Sequence, residues 1–435
     1  MADDTASTTA LNAAATAAAG AAVGVADEST WEGVEENFED PEEVRVIFCA
    51  LDSFSQYAKV AHFNVTHLRR QSFYALPQAH WQMLAAPPFN FLDTLEKTDD
   101  AIDSNADLAS AIVKFGLRTF RSIAPRPDAQ DPVIPHQWAG IAKHSDIDKA
   151  RSTIRQFYRD WSVDGAAERE ACYGPVMKVM AEERAKSPNA DMLKVLVPGA
   201  GLGRLVFDLC QAGFDAEGNE ISYHQLLASS YILNQCERAH RHMIYPWVHT
   251  FSNHRTRGDH LRGYQVPDIH PGATLADTPN PGSMSMCAAD FLCLYGDESH
   301  KDQYDAVASV FFLDTAPNLI RYLEVILHCL KPGGVLINVG PLLWHFENNA
   351  PGNHGRDDDG DGEHDYNNSS GIADPGSFEL SQDEVMALVE KLGFQVEWVK
   401  MDIDAPYIQD RDSMLQTTYK ASAWVARKPL TNNTT

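Results

Sequence analysis

The stretch that most constrains this chain is Lys194-Val-Leu-Val-Pro-Gly-Ala-Gly-Leu-Gly-Arg-Leu205, an apolar run that breaks into three glycines spaced two apart. A continuous run such as Val195, Leu196 and Val197 suits a strand covered on both faces of a parallel sheet. Gly199, Gly201 and Gly203 then let the backbone come close to a ligand where side chains would block it. Leu205, Leu209 and Ala212 keep helical spacing, and Gly213 stands where a helix C-terminal glycine belongs. Strand, tight turn and helix start in this order open a doubly wound α/β sheet.

A second strand, about Phe214–Asn219, ends in Glu220, which stands 17 residues after Gly203. An acid at roughly that distance holds ribose hydroxyls in such folds. The dinucleotide fingerprint needs G-x-G-x-x-G, whereas this chain has G-x-G-x-G with Arg204 where the last glycine would fall. NAD is therefore disfavoured and S-adenosylmethionine favoured. A third strand, Ser283–Ala289, ends in Asp290-Phe291, a carboxylate to accept from an adenine amino group and a ring or backbone to pack on its face. Tyr304–Leu313 is a fourth strand ending in Asp314-Thr315. A helix with Leu319, Leu323, Ile326 and Leu330 follows, then a fifth strand, Val335–Val339. Ser381-Gln-Asp-Glu384 is a capping box that opens a further helix. Phe394–Lys400 and Thr418–Arg427 close the chain as an antiparallel pair.

The N-terminal half carries no strand alternation. Residues 1–40 hold few large apolar groups and are expected to be disordered. From Pro41, the residues Val44, Ile47, Phe48, Leu51, Phe54 and Tyr57 recur at helical spacing. Further helices are expected over Leu68–Leu84 and Ala101–Ala124, with breaks at Pro87-Pro88 and Pro125–Pro135. Around Lys149–Trp161, Ile154, Phe157 and Trp161 form an apolar stripe, and Gln156 and Arg159 share a neighbouring face. Helices over Glu168–Ala185 and Tyr223–Ala239 flank the glycine strand and Glu220. A proline-rich loop is expected over Val266–Pro281.

At 435 residues with 44% hydrophobic content, the chain has material for one catalytic domain with a substantial extension. A formal net charge of −26 argues against a surface that tracks nucleic-acid phosphates. The seven cysteines contain no C-x-x-C pair and suit core positions in a reducing compartment. No stretch has the length of a bilayer span. The first 44 residues lack Lys and Arg, so neither a secretory nor a mitochondrial leader is indicated; cytoplasm, with or without the nucleus, is the expected location. His240, His242, His249, His254 and His260 match no ligand pattern, so no metal is expected. Asn348–Gly376 is expected to be a flexible acidic insertion. Asp357, Asp359 and Asp361 begin like a calcium loop, but Asn368 stands where a bidentate Glu should close it.

The longer motifs narrow the class. Val197-Pro-Gly-Ala-Gly-Leu-Gly-Arg-Leu205, Gly218-Asn-Glu-Ile-Ser222, Phe311-Phe-Leu-Asp-Thr-Ala316 and Gly340-Pro-Leu-Leu-Trp-His-Phe-Glu347 together closely resemble the carnosine N-methyltransferase family. The resemblance runs from about Val44 to Pro429 and includes Arg155-Gln-Phe-Tyr-Arg-Asp-Trp161. It implies a class I methyltransferase, a Rossmann-like doubly wound sheet, over 191–430, with an N-terminal helical cap over 41–190. The implied cofactor is S-adenosylmethionine, held by Gln156, Arg159, Gly199, Gly201, Glu220, Asp290 and Phe291. Ser309 stands where the family has a cysteine beside the cofactor. Asp314 and His345 would hold the substrate, with Tyr419 on the last strand; a partner tyrosine of the family is Thr417 here. The implied reaction converts carnosine to anserine by methylating an imidazole nitrogen. A homodimer is compatible with it.

These residue types suit such chemistry. Neutral imidazole is already a good nucleophile, so the site must align it with the methyl donor and exclude water. A carboxylate such as Asp314 can accept the hydrogen of the other ring nitrogen, fixing the tautomer and stabilising the cation that forms. The plainer alternative makes Asp314 a helix N-cap with Thr315. Rival functions are methylation of protein histidines and cofactor binding without turnover.

Overall fold

The computed structural model describes residues 41–120, 138–186, 192–348 and 376–430. Its strands, in chain order, are β1 (Lys194–Pro198), β2 (Asp215–Glu220), β3 (His242–Ile244), β4 (Tyr264–Val266), β5 (Met284–Ala288), β6 (Tyr304–Val310), β7 (Leu330–Gly340), β8 (Gln395–Pro406) and β9 (Thr418–Arg427). Seven of them form one sheet in the order β5-β2-β1-β6-β7-β9-β8. The strands from β5 to β7 pair in parallel, and β9 inserts antiparallel between β7 and β8. This is the class I methyltransferase sheet. Its order reverses at β1, which pairs with β2 on one side and β6 on the other, and ligands of open α/β sheets bind at such a switch point.

Alternation along β1 shows why its run is apolar throughout. Val195 and Val197 pack with Leu205, Leu209, Val176 and Met180 on one face. Leu196 packs with Val307, Leu323 and Ile326 on the other. Both faces are covered by helices, so both must be apolar.

The N-terminal helices are Pro41–Ala61, Leu68–Tyr74, Gln78–Ala85, Phe91–Thr119, His144–Trp161 and Ala166–Lys186, with a π-helical segment at His62–His67. Ile47, Phe48, Leu51, Phe54 and Tyr57 are buried, as their spacing predicts. They share a core with Leu227, Tyr231 and Ile232 of the helix Tyr223–Asn234, so this half packs directly on the sheet's own helix layer.

Several boundaries differ from expectation. The helix expected over Leu68–Leu84 breaks before Pro77, because the residue preceding a proline is driven out of helical geometry. Phe91–Thr119 begins ten residues before the expected Ala101, since its first turns bury few side chains and show a thin apolar stripe. The helix from Tyr223 stops at Asn234 instead of Ala239. The Val266–Pro281 loop contains a helix, Pro271–Asp277, capped by His270, whose Nδ1 accepts from Ala273 N at 2.9 Å. The histidine-rich passage, His240–Arg262, holds β3, which pairs antiparallel with β4 just beyond it. There His242 lies 2.7 Å from the Tyr231 hydroxyl and His249 lies 2.9 Å from that of Tyr57. The residue 1–40 tail, the Pro125–Pro135 break and the acidic insertion with its calcium-like aspartates lie outside the described residues, apart from the insertion's two ends. Among the described residues, no helix is long and apolar enough to cross a membrane.

Candidate active site

The three glycines of the first turn all adopt left-handed backbone: φ is 66° at Gly199, 58° at Gly201 and 75° at Gly203. A Cβ on Gly199 would also meet the Phe312 ring at 2.8 Å, so both conformation and space exclude a side chain there. Above Gly201 the space is open, with nothing within 4 Å of where a Cβ would stand. The turn therefore presents bare backbone to a cleft of about 320 Å³.

Glu220 closes that turn from the end of β2. Its Oε2 accepts from Gly201 N, and its Oε1 accepts from Ile221 N and Ser222 N, each at 2.9 Å. Burial raises its carboxyl above the usual range, and these three N–H donors oppose the shift. Gln225, on the first turn of the next helix, stands between Glu220 and Gln156. With its amide oriented to satisfy both neighbours, it donates to Glu220 Oε2 at 2.8 Å and accepts from Gln156 Nε2 at 3.1 Å.

The helix His144–Trp161 reaches the cleft because its end is pinned to the glycine turn. Trp161 Nε1 donates to the Leu202 carbonyl at 3.1 Å. Arg204, the residue that spoils the dinucleotide fingerprint, donates to the Asp160 carbonyl at 3.0 Å and to Asp268 at 2.7 Å. Gln156 and Arg159, three apart, accordingly line the same cleft. Arg159 pairs bidentately with Asp160, at 2.8 and 3.0 Å. Burial disfavours its charge, but Asp160 more than offsets that, and its pKa is raised. The Arg159 guanidinium also lies 5.5 Å from the Tyr407 ring centre, a cation–π contact.

Asp290 caps the short helix Phe291–Tyr295 through Oδ1, which accepts from Leu292 N at 2.8 Å. Phe291 is buried beneath the cleft, with ring centres 5.4 Å from both Phe312 and Tyr322. Asp314 is buried in the turn Leu313–Thr315; its Oδ2 accepts from Leu343 N at 3.0 Å and its carbonyl from His345 N at 3.2 Å. The helix-cap alternative does not hold, because Asn318 caps the following helix. Burial raises the Asp314 carboxyl, while the Leu343 N–H and His345 pull it down.

Gln156, Arg159, Gly199, Gly201, Glu220, Asp290, Phe291 and His345 thus converge on one cleft. Three expected residues are not in its lining. Ser309 is fully buried and donates to Asn338 Oδ1 at 3.0 Å, and its neighbour Val310 lines the cleft instead. Asp314 lies behind His345. Tyr419 stands one layer back, with its ring 5.9 Å from Phe311 and 6.0 Å from Tyr407.

Gln225, Phe311 and Tyr407 line the cleft without having been singled out. Phe311 lies inside a quoted motif, and its φ of 53° is strained for an aromatic residue. Tyr407 is held by the segment after β8. Glu168 accepts from Ile408 N and Gln409 N, both at 2.8 Å, and Arg155 donates to the Ile408 carbonyl at 2.8 Å. The Thr417 N–H donates to Gln409 in the same segment, and Thr417 itself is exposed.

The donor set suits S-adenosylmethionine: a side-chain-free turn, a buried acid facing it and a second acid at the end of β5. A family model described as carnosine N-methyltransferase matches residues 136–430. A carnosine N-methyltransferase of Mus musculus is 34% identical over 380 residues, covering 87% of this chain and 85% of that protein. One from Schizosaccharomyces pombe is 35% identical over 390 residues, covering 89% of this chain and 97% of that protein.

Proposed function

The chain belongs to the carnosine N-methyltransferase family, and from that premise we propose that it methylates an imidazole ring nitrogen of carnosine, giving anserine. S-adenosylmethionine is its cofactor and supplies, when bound, an electrophilic methyl group on its sulfonium. The observation that carries the reading is a buried carboxylate, Glu220, against the glycine turn of a cleft that His345 also lines, with a second buried carboxylate, Asp314, accepting the His345 N–H at its carbonyl from outside the lining.

In this proposal Glu220 accepts from the ribose hydroxyls and Asp290 from the adenine amino group. Three of the four lone-pair positions of Glu220 are already directed by backbone N–H groups, which leaves Oε2 one further position, shared between Gln225 and a ligand. Gln156 and Arg159 close the cleft from the helical side. At the other end, His345 holds the substrate, and Asp314 accepts the N–H of the ring nitrogen remote from the reaction. That fixes the tautomer, so the reacting nitrogen presents its lone pair, and places a negative charge beside the imidazolium as it forms. The raised carboxyl of Asp314 makes it a better proton acceptor than an exposed carboxylate. Phe311, Tyr407 and Tyr419 form an aromatic wall that excludes water and favours a cation over their faces.

The test is incubation with cofactor and carnosine, followed by mass spectrometry and fragmentation to locate the added methyl group. Methyl on the imidazole ring supports the proposal. Label found only in protein histidines moves the assignment to that substrate class, and cofactor binding with no methyl acceptor sinks the enzymatic reading.

A further inference from the structure

A second cleft, of about 360 Å³, shares no lining residue with the first. It opens between the C-terminal half of helix Phe91–Thr119 and the far end of helix Tyr223–Asn234. Lys114 and Arg118, four apart on one helix face, line it together with Arg241, which immediately precedes β3. Asp107 and Glu237 are the carboxylates of the lining, so three cations meet two anions. Among the described residues neither the Lys114 nor the Arg118 side chain has an ion-pair or hydrogen-bond partner. Arg241 approaches Glu237 only at 3.8 Å. At the cleft floor the Tyr231 hydroxyl lies 2.7 Å from His242 Nε2. Burial, helped by Arg241, pushes the His242 imidazole down to about 4, so it is neutral at pH 7 and contributes a dipole, not a charge.

A helix dipole favours cations in the last turns of Phe91–Thr119, which accounts for Lys114 and Arg118. It does not account for Arg241, brought to the same cleft from another element. In a chain of formal net charge −26, cations gathered at a concave surface, two of them without an ion-pair partner, form a local attractor for anions. Two guanidinium forks, an ammonium and the hydroxyl of Ser110 are donors suited to a tetrahedral oxyanion.

We propose that this cleft is a second ligand site that binds a phosphoryl group, as free diphosphate or on a small phosphate ester. Helix Tyr223–Asn234 carries Gln225 at the first cleft and Tyr231 at the second, roughly 9 Å apart along its axis at 1.5 Å per residue.

The experiment is calorimetric titration of the full chain, saturated with S-adenosylhomocysteine so that the first cleft is filled, with pyrophosphate and separately with glycerol 2-phosphate. Ionic strength is held constant with chloride. One saturable site is expected, and Arg118→Gln with Arg241→Gln should weaken it by at least about tenfold while leaving S-adenosylhomocysteine affinity and the far-UV spectrum unchanged. Lys114→Gln, a milder change, should weaken it less. Binding of pyrophosphate alone identifies the free anion, and binding of both probes identifies an esterified group. Heats no larger than the chloride control, or a double variant that binds as tightly as the parent chain, would overturn the proposal.

Discussion

Gly201 donates its backbone N–H to Glu220 Oε2 at 2.9 Å, so the turn that presents bare backbone to the cleft is fastened to the acid beside it. Under the proposed function Glu220 is therefore both ligand acceptor and structural tie. Glu220→Ala should lose about 10- to 100-fold in cofactor affinity, the equivalent of ~1.5–3 kcal/mol for hydrogen bonds to a charged group. It should also destabilise the fold, because the N–H groups of Gly201, Ile221 and Ser222 lose their acceptor. Glu220→Gln keeps an acceptor oxygen and should lose affinity with a smaller loss of stability. Calorimetry with S-adenosylhomocysteine and urea titrations read the two effects separately. A normal Kd in Glu220→Ala would remove Glu220 from the cofactor site.

The Gln156–Gln225–Glu220 chain gives Gln225 a positioning role. Gln225→Ala should raise the cofactor's KM by about three- to tenfold, the range for loss of one hydrogen bond, with kcat nearly unchanged. Gln225→Glu should be worse, because it sets a second carboxylate against Glu220. Equal behaviour of the two variants in steady-state kinetics would show that Gln225 only fills space.

Much of this site was legible because its signals are local. The glycine turn, Glu220 and Asp290 each sit at the end of a buried strand, and an apolar run followed by a glycine or an acid marks such an end without any knowledge of tertiary contacts. Tyr407 was hidden for a specific reason. Register shifts between Val396 and Trp398 and between Lys400 and Ile403 break the period of β8, and most of its side chains are exposed. The strand was therefore expected to stop at Lys400 and in fact continues to Pro406. The three-residue strands β3 and β4 are too short to display alternation at all. Ser309 shows the reverse: the family resemblance put it at the position of a cysteine beside the cofactor, but the pleat of β6 turns it to Asn338.

Asp314→Asn keeps an oxygen that can accept from Leu343 N while removing the charge beside His345. Under the proposed mechanism kcat should fall by at least about tenfold, or ~1.4 kcal/mol at the transition state, with cofactor Kd unchanged. In the parent enzyme kcat/KM should rise through the ordinary imidazole pKa of about 6.5 and then level off, because the nucleophile must be neutral. A variant that loses cofactor binding but keeps its turnover number would place Asp314 in the cofactor pocket instead.

Four largely enclosed histidines, His224, His242, His249 and His260, should make the stability of this protein sensitive to mild acid. Burial pushes the pKa of His224 and His242 down to about 4, and that of His249 and His260 down to about 3, with nearby cations adding to the shift in each case. In the unfolded chain each returns to about 6.5. Below that pH the unfolded state binds protons that the folded state refuses, so stability falls as pH drops from about 6.5 towards 4, by on the order of 1 kcal/mol per pH unit for each histidine. Buried carboxyls with raised pKa, Asp208, Glu220 and Asp314 among them, act in the opposite direction, since the folded state takes up their protons first. Comparing variants separates the two contributions. His249→Gln can still hydrogen-bond the Tyr57 hydroxyl, which lies 2.9 Å from His249 Nε2, but it cannot titrate. Urea midpoints measured from pH 7.5 down to 5 should therefore fall less steeply in His249→Gln than in the parent chain, whatever its stability at pH 7.5. Parallel slopes would mean that His249 is protonated as readily in the folded state as in the unfolded one.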